Sequence, residues 1–181
     1  MENRRPRSSF VTTLAWIFIV LAGFSTLISL LQNIMFNVVF GGDTMTAALQ
    51  DPRMPPMPAF AKFVLGHVQW IMGGFLAMSI LTLVAAIALL RRHNWGRVLF
   101  IAIMAAGLVW ELGSLTLLPF MFSSFSAIPD TAPPDFRDSF AVMSKVIVAF
   151  SVLVSIALSV LFAWIIKRLV SADIRSEFVA D

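Results

Sequence analysis

The sequence predicts an all-α polytopic membrane protein, a four-helix transmembrane bundle with its N and C termini cytoplasmic. Three observations predict it. Of the 181 residues, 59% are hydrophobic and 13% charged, where a soluble domain carries roughly a quarter charged residues. Too little polar surface remains to cover a water-soluble globule, so lipid covers part of the outside. Charges are absent or single over four long gaps, Arg7 to Asp43, Lys62 to Arg91, Arg97 to Asp130 and Asp138 to Lys167. Each gap exceeds the about 20 residues a helix needs to cross a bilayer core. Finally, most Lys and Arg lie at one end of these gaps. The short alternating segments of a membrane β-barrel are not present. Residues 1–181 make a single membrane domain.

Taken in order, the first helix covers about 10–40. Arg4, Arg5 and Arg7 before an apolar run resemble a signal peptide. The run is longer than the about 7–15 residues of such a segment, however, and no clean small-residue cleavage site follows, so a retained helix is expected. An outer loop, 41–61, holds Pro52, Pro55, Pro56 and Pro58. A short interfacial helix capped at Asp43 or Thr44 and stopped by Pro52 is expected within it. The second helix covers about 63–90 and contains His67. The turn Arg91-Arg92-His93-Asn94-Trp95-Gly96-Arg97 is short, so the second and third helices are antiparallel neighbours. The third helix covers about 98–122. A second proline-bearing loop, 123–138, leads to the fourth helix, about 140–167. Laying 63–91 on 140–168 gives no more identity than two apolar helices share, so the two hairpins are not read as a duplication.

Orientation follows from Lys and Arg placement. Arg4, Arg5 and Arg7, then Arg91, Arg92 and Arg97, then Lys167, Arg168 and Arg175 fall on one side; Arg53, Lys62 and Arg137 fall on the other. The positive-inside rule puts the richer side in the cytoplasm. Arg91, Arg92, Trp95 and Arg97 suit a membrane anchor at headgroup level, with Asn94 and Gly96 supplying the turn. A basic turn with an embedded tryptophan resembles those of many small bacterial multi-pass proteins. That resemblance implies a bacterial inner membrane.

Composition also excludes chemistry. With no cysteine there are no disulfides, thiolate metal sites or iron–sulfur clusters. The net charge of +3 is spread beside apolar runs, which fits topology signals and anionic-lipid contact, and no nucleic acid is expected as a partner. His67 and His93 sit at opposite ends of one helix and cannot share a haem. No phosphate loop exists, because Gly73-Gly74 lies within a membrane helix, where small residues permit close packing. No catalytic residue and no cofactor is assigned. Met54-Pro-Pro-Met57 offers two thioethers, the donor type that selects Cu(I), but an isolated pair in a chain of ten methionines reads first as apolar contact.

Ionisable and amide groups inside a membrane are costly and therefore point to function. Glu111 leads them. Counted from Val98, it lies about 20 Å along a helix rising 1.5 Å per residue, near mid-membrane. Ser25, Thr26, Gly74, Met78, Ser151 and Ser155 fall at comparable depth. A proton-carrying or cation-binding carboxyl and a carboxyl that bonds across helices to fix packing are both open readings. A second set, Asn33, Asn37, His67, Gln69 and Lys145, with Gln32, shares a level nearer the outer surface and is expected to form a polar pocket or to snorkel. The leading functional expectation is a non-enzymatic accessory subunit of a membrane complex, held by a membrane protein partner or by homo-oligomerisation. The alternative is a small oligomeric transporter or channel using Glu111. A lipid- or quinone-directed enzyme stands third.

Overall fold

The computed structural model describes residues 8–49, 59–125 and 134–178. They are all-α: α1 Ser9–Leu49, α2 Ala59–Gly66, α3 Val68–Leu90, α4 Asn94–Phe125, α5 Pro134–Val170 and α6 Ala172–Arg175. Four of these are long and apolar enough to cross a membrane, over Ser9–Val39, Val68–Leu90, Asn94–Leu117 and Val142–Val170. The chain is thus a four-span integral membrane protein, and its apolar helices meet a lipid bilayer. Met54 and Met57 fall outside the described residues, as does most of the stretch on either side of them.

Helix ends depart from the expected ones where local chemistry decides. α1 does not break at Gly41–Asp43 but runs on to Leu49, so the expected interfacial helix is its continuation; Pro52, the expected stop, lies outside the described residues. α5 starts at Pro134, the first-turn position at which a proline's missing N–H is harmless. The second span is interrupted at His67, whose backbone (φ −118°, ψ 10°) separates α2 from α3. His67 N–H still donates to the Phe63 carbonyl at 3.1 Å, so the chain axis carries on through the break.

The chain forms two compact units, residues 1–102 with 169–181, and residues 103–168. In the first, α1 lies along α3 in antiparallel register: Thr12 meets Arg92, Asn33 meets Met72 and Asn37 meets Gln69. Its core is gathered at one end. Val11, Leu14 and Ala15 of α1, Ala85, Ala86, Ala88 and Leu89 of α3, and Phe100, Leu169, Ile174 and Phe178 are all buried. Small residues permit this. Gly96 at the start of α4 lies so close to α3 that a Cβ there would run into Ala88 Cβ and stand 2.8 Å from the Ala88 carbonyl carbon. Gly73 and Gly74 have open space where a Cβ would be. The close packing expected of them is found at Gly96 instead.

The turn between α3 and α4 closes on Arg92, not on the expected Asn94 and Gly96. Arg92 adopts φ 64°. His93 N–H reaches back to the Ala88 carbonyl (3.0 Å) and Arg92 N–H to that of Leu89 (3.1 Å). This is the paired closure that a glycine usually supplies, and a side chain in that conformation costs about 1 kcal/mol. The compensation lies in what the Arg92 side chain holds. Its guanidinium pairs with Glu177 and donates to the Ser8 carbonyl at 3.1 Å and to Thr12 Oγ1 at 3.4 Å. The start of α1, the α3–α4 turn and the C-terminal tail therefore meet at one face of the molecule.

In the second unit α4 and α5 run antiparallel, with Gly107 beside Phe162 and Glu111 beside Ser155. A Cβ on Gly107 would stand 3.1 Å from the Phe162 ring edge, so this glycine sets how closely the two helices approach.

Candidate functional site

Glu111 sits on α4, and Ser155 faces it from α5. The Ser155 hydroxyl donates to Glu111 Oε2 at 2.8 Å. Ser155 is buried and Glu111 is half-buried. Ser155 lies about midway through Val142–Val170, and Glu111 lies 17 positions into α4, in the second half of the Asn94–Leu117 span, about 25 Å along at 1.5 Å per residue.

The pair opens onto a groove of about 340 Å³ between α4 and α5. Its polar lining is Glu111 with Ser114, Ser151 and Ser155; Phe150 and Leu158 are among the apolar walls. Ser114, one turn on from Glu111, is anchored by donating to the Glu111 backbone carbonyl at 2.8 Å. Ser151 lies one turn before Ser155 on the same face of α5. The donor set is therefore one carboxyl and three hydroxyls, oxygen throughout. Ser159, a further turn along that face, has a buried hydroxyl without a hydrogen-bond partner among the described residues.

Chemically, a carboxyl among hydroxyls is a donor set of the kind that a proton or a hard cation can use. One Glu111 oxygen is occupied by Ser155, and the other makes no hydrogen bond among the described residues. One carboxylate supplies a single negative charge, which suits a proton or a monovalent ion better than a divalent one. No group of three His, Cys, Asp or Glu able to hold a metal exists among the described residues.

The second expected set is brought together only in part. Asn33 Nδ2 donates to the Met72 carbonyl of α3 at 3.2 Å and to Ser29 O at 2.8 Å. Gln69 Nε2 donates to Asn37 Oδ1 at 3.3 Å, while Asn37 Nδ2 donates to Asn33 O at 2.8 Å. These three amides thus form a ladder that ties α1 to α3. His67 turns away from the ladder. Its Nδ1 lies 2.9 Å from the Phe63 carbonyl, and its ring rests against that of Phe63 with centroids 4.4 Å apart. Lys145 belongs to the other unit and is exposed. Thr26, expected beside Glu111, belongs to the other unit and donates to its own helix at Ala22 O, 2.7 Å.

In the basic turn, Arg91 and Trp95 are exposed, Trp95 lying parallel to His93 with centroids 6.2 Å apart. Arg92 and Arg97 are directed into the protein. Sequence reasoning missed Glu177 and Phe178 as their neighbours, because nothing in the spacing of a tail some 80 residues away announces the contact.

The chain matches no protein-family model, no curated protein and no solved structure.

Proposed function

We propose that this protein is a small non-enzymatic membrane subunit whose working part is the α4–α5 groove, with Glu111 as a proton or monovalent-cation site. The observation that carries the reading is the bonded pair itself: a carboxyl within a membrane span, half-buried, touching one serine and sharing an open groove with two more. A carboxyl serving packing alone would be closed in by its partners. This one keeps an oxygen and a groove beside it, and intramembrane carboxyls of that kind mark ion and proton pathways.

Four helices are few for a complete transport path, so the subunit works as a homo-oligomer or beside a membrane protein partner. The positive-inside rule favours a bacterial inner membrane with both termini in the cytoplasm. The joining of the N-terminal helix start, the α3–α4 turn and the tail at one face supports the shared sidedness of those three basic segments. The level of Asn33, Asn37 and Gln69 is the opposite end of the α1–α3 pair, where they act as a clamp; His67 and Lys145 are left to contact headgroups. Arg91 and Trp95 anchor the turn at the bilayer surface.

The test uses liposomes holding the purified protein, loaded with a pH-sensitive dye. Wild type takes up protons, or a monovalent cation with proton exchange, in response to an imposed gradient. Glu111→Gln, which keeps shape and hydrogen bonding, abolishes uptake and removes the carboxylic-acid band from the infrared difference spectrum. Equal uptake by wild type and Glu111→Gln would overturn the assignment.

A further inference from the structure

Arg97 lies at the start of α4 and makes no ion pair among the described residues. It is only 9% exposed. Its hydrogen bonds go to neutral oxygens, Leu169 O at 3.4 Å and Asn94 Oδ1 at 3.1 Å, and its Nε is buried without a partner. A guanidinium that is nine-tenths buried with no carboxylate paired to it among the described residues is costly to hold. Arg92, in the same turn, has taken the Glu177 carboxylate. Both guanidinium groups lie over a single ring, that of Phe178, at 5.9 Å for Arg92 and 5.7 Å for Arg97. The ring lies against both cations, and of the Arg97 N–H groups it is Nε that is left without an acceptor among the described residues.

We infer that Arg92 and Arg97 form a phosphate-binding site closed by the protein's own C-terminal tail, with the Glu177 carboxylate standing where a phosphate oxygen binds. The ligand class is a phosphate-bearing anion. Two guanidinium forks in one place match the several oxygens of a phosphate better than the two of a carboxylate. A phosphate that takes the place of Glu177 on Arg92 also supplies Arg97 Nε with its missing acceptor. Arg91 and Trp95, exposed in the same turn, set the site at the level of lipid headgroups, which places an anionic lipid within reach; free phosphate offers the same chemistry from solution. The tail, held by buried Ile174 and Phe178 as well as by the ion pair, then acts as a lid that a bound phosphate displaces. This site is independent of the Glu111 groove.

Because the chain has no cysteine, one spin label placed at Ser176→Cys reports on the tail alone. The full-length protein is compared in nanodiscs of phosphatidylcholine, of phosphatidylcholine with phosphatidylglycerol, and of phosphatidylcholine with inorganic phosphate in the buffer. The label is expected to be immobile in the first and mobile in the second. Mobility in the second alone assigns the site to a headgroup, and mobility in the third as well assigns it to phosphate from either source. Glu177→Gln is expected to free the label without any anion. Arg97→Gln should weaken the response to the anion by at least about tenfold, the effect of losing charged hydrogen bonds, and Arg91→Gln should leave it nearly unchanged. A label equally immobile in all three media overturns the site. So does an Arg91→Gln loss as large as that of Arg97→Gln, which would mean general surface charge. Glu177→Gln leaves both arginines in place and keeps the test decisive even where Arg97→Gln does not fold.

Discussion

The turn region and the α4–α5 groove use polar groups in opposite ways. At the turn, Arg92 is committed to Glu177, Ser8 and Thr12, and apolar side chains from α1, α3, α4 and the tail close around the cluster. In the groove, Glu111 is bound by Ser155 alone, and about 340 Å³ is left beside it. Packing is dense where alanine and glycine let backbones approach, at Ala85, Ala86, Ala88 and Gly96. It is loose where Phe150, Leu158 and three serines line the space. The difference separates structural polarity from available polarity: the same membrane cost of a charged group is met by bonding at the turn and left partly open in the groove.

The comparison is broken most directly by filling the dense region. Gly96→Val forces a side chain against Ala88, where the neighbour is backbone and cannot yield, so a loss of about 3 kcal/mol is expected. Unfolding in mixed detergent micelles measures it. A loss below about 1 kcal/mol would show that the turn packs more loosely than described. Next in size is Glu177→Gln. Removing one partner of a largely buried ion pair, each side chain 19% exposed, is expected to lower stability by about 2 kcal/mol. High salt should then affect the variant less than wild type in the same assay.

A smaller effect is expected of Asn33→Leu. It removes the bond to Met72 O, and hydrogen bonds between membrane helices average about 0.6 kcal/mol. Chemical crosslinking yield between α1 and α3 follows the change, and an unchanged yield would mean that apolar packing alone holds the pair. Smallest for stability is Glu111→Gln, within about 0.5 kcal/mol of wild type, since the amide still accepts from Ser155. Its effect on ion uptake is nevertheless complete. A strongly destabilised Glu111→Gln would mean that the groove carboxyl serves packing, and the contrast between the two regions would collapse.

Four spans, their approximate limits and the place of Glu111 along its helix were legible because each rests on one-dimensional quantities, the length of an apolar run and the count of residues from a charged end. The hydrophobic cost of charge and the 1.5 Å rise per residue leave little freedom there. The rotation of each helix about its axis was not legible, since these helices are apolar on every side and carry no stripe to orient them. That is why Gly73 and Gly74 read as packing residues and turned out to have open space beside them, and why His67 shared a level with Asn37 and Gln69 without joining them. Depth alone aligned Ser155 with Glu111; only the tertiary structure put the two hydroxyl and carboxyl oxygens 2.8 Å apart.

The sequence by itself determined that this chain lives in a membrane, how often it crosses and which carboxyl lies deepest, because burial in lipid is a property of composition and length. The tertiary structure alone decided that Arg92 takes the left-handed conformation at the turn, that Glu177 and Phe178 return to meet it, and that Arg97 is buried against Phe178. Those contacts join residues some 80 positions apart, and proximity of that kind is set by how the helices pack, which no local pattern encodes.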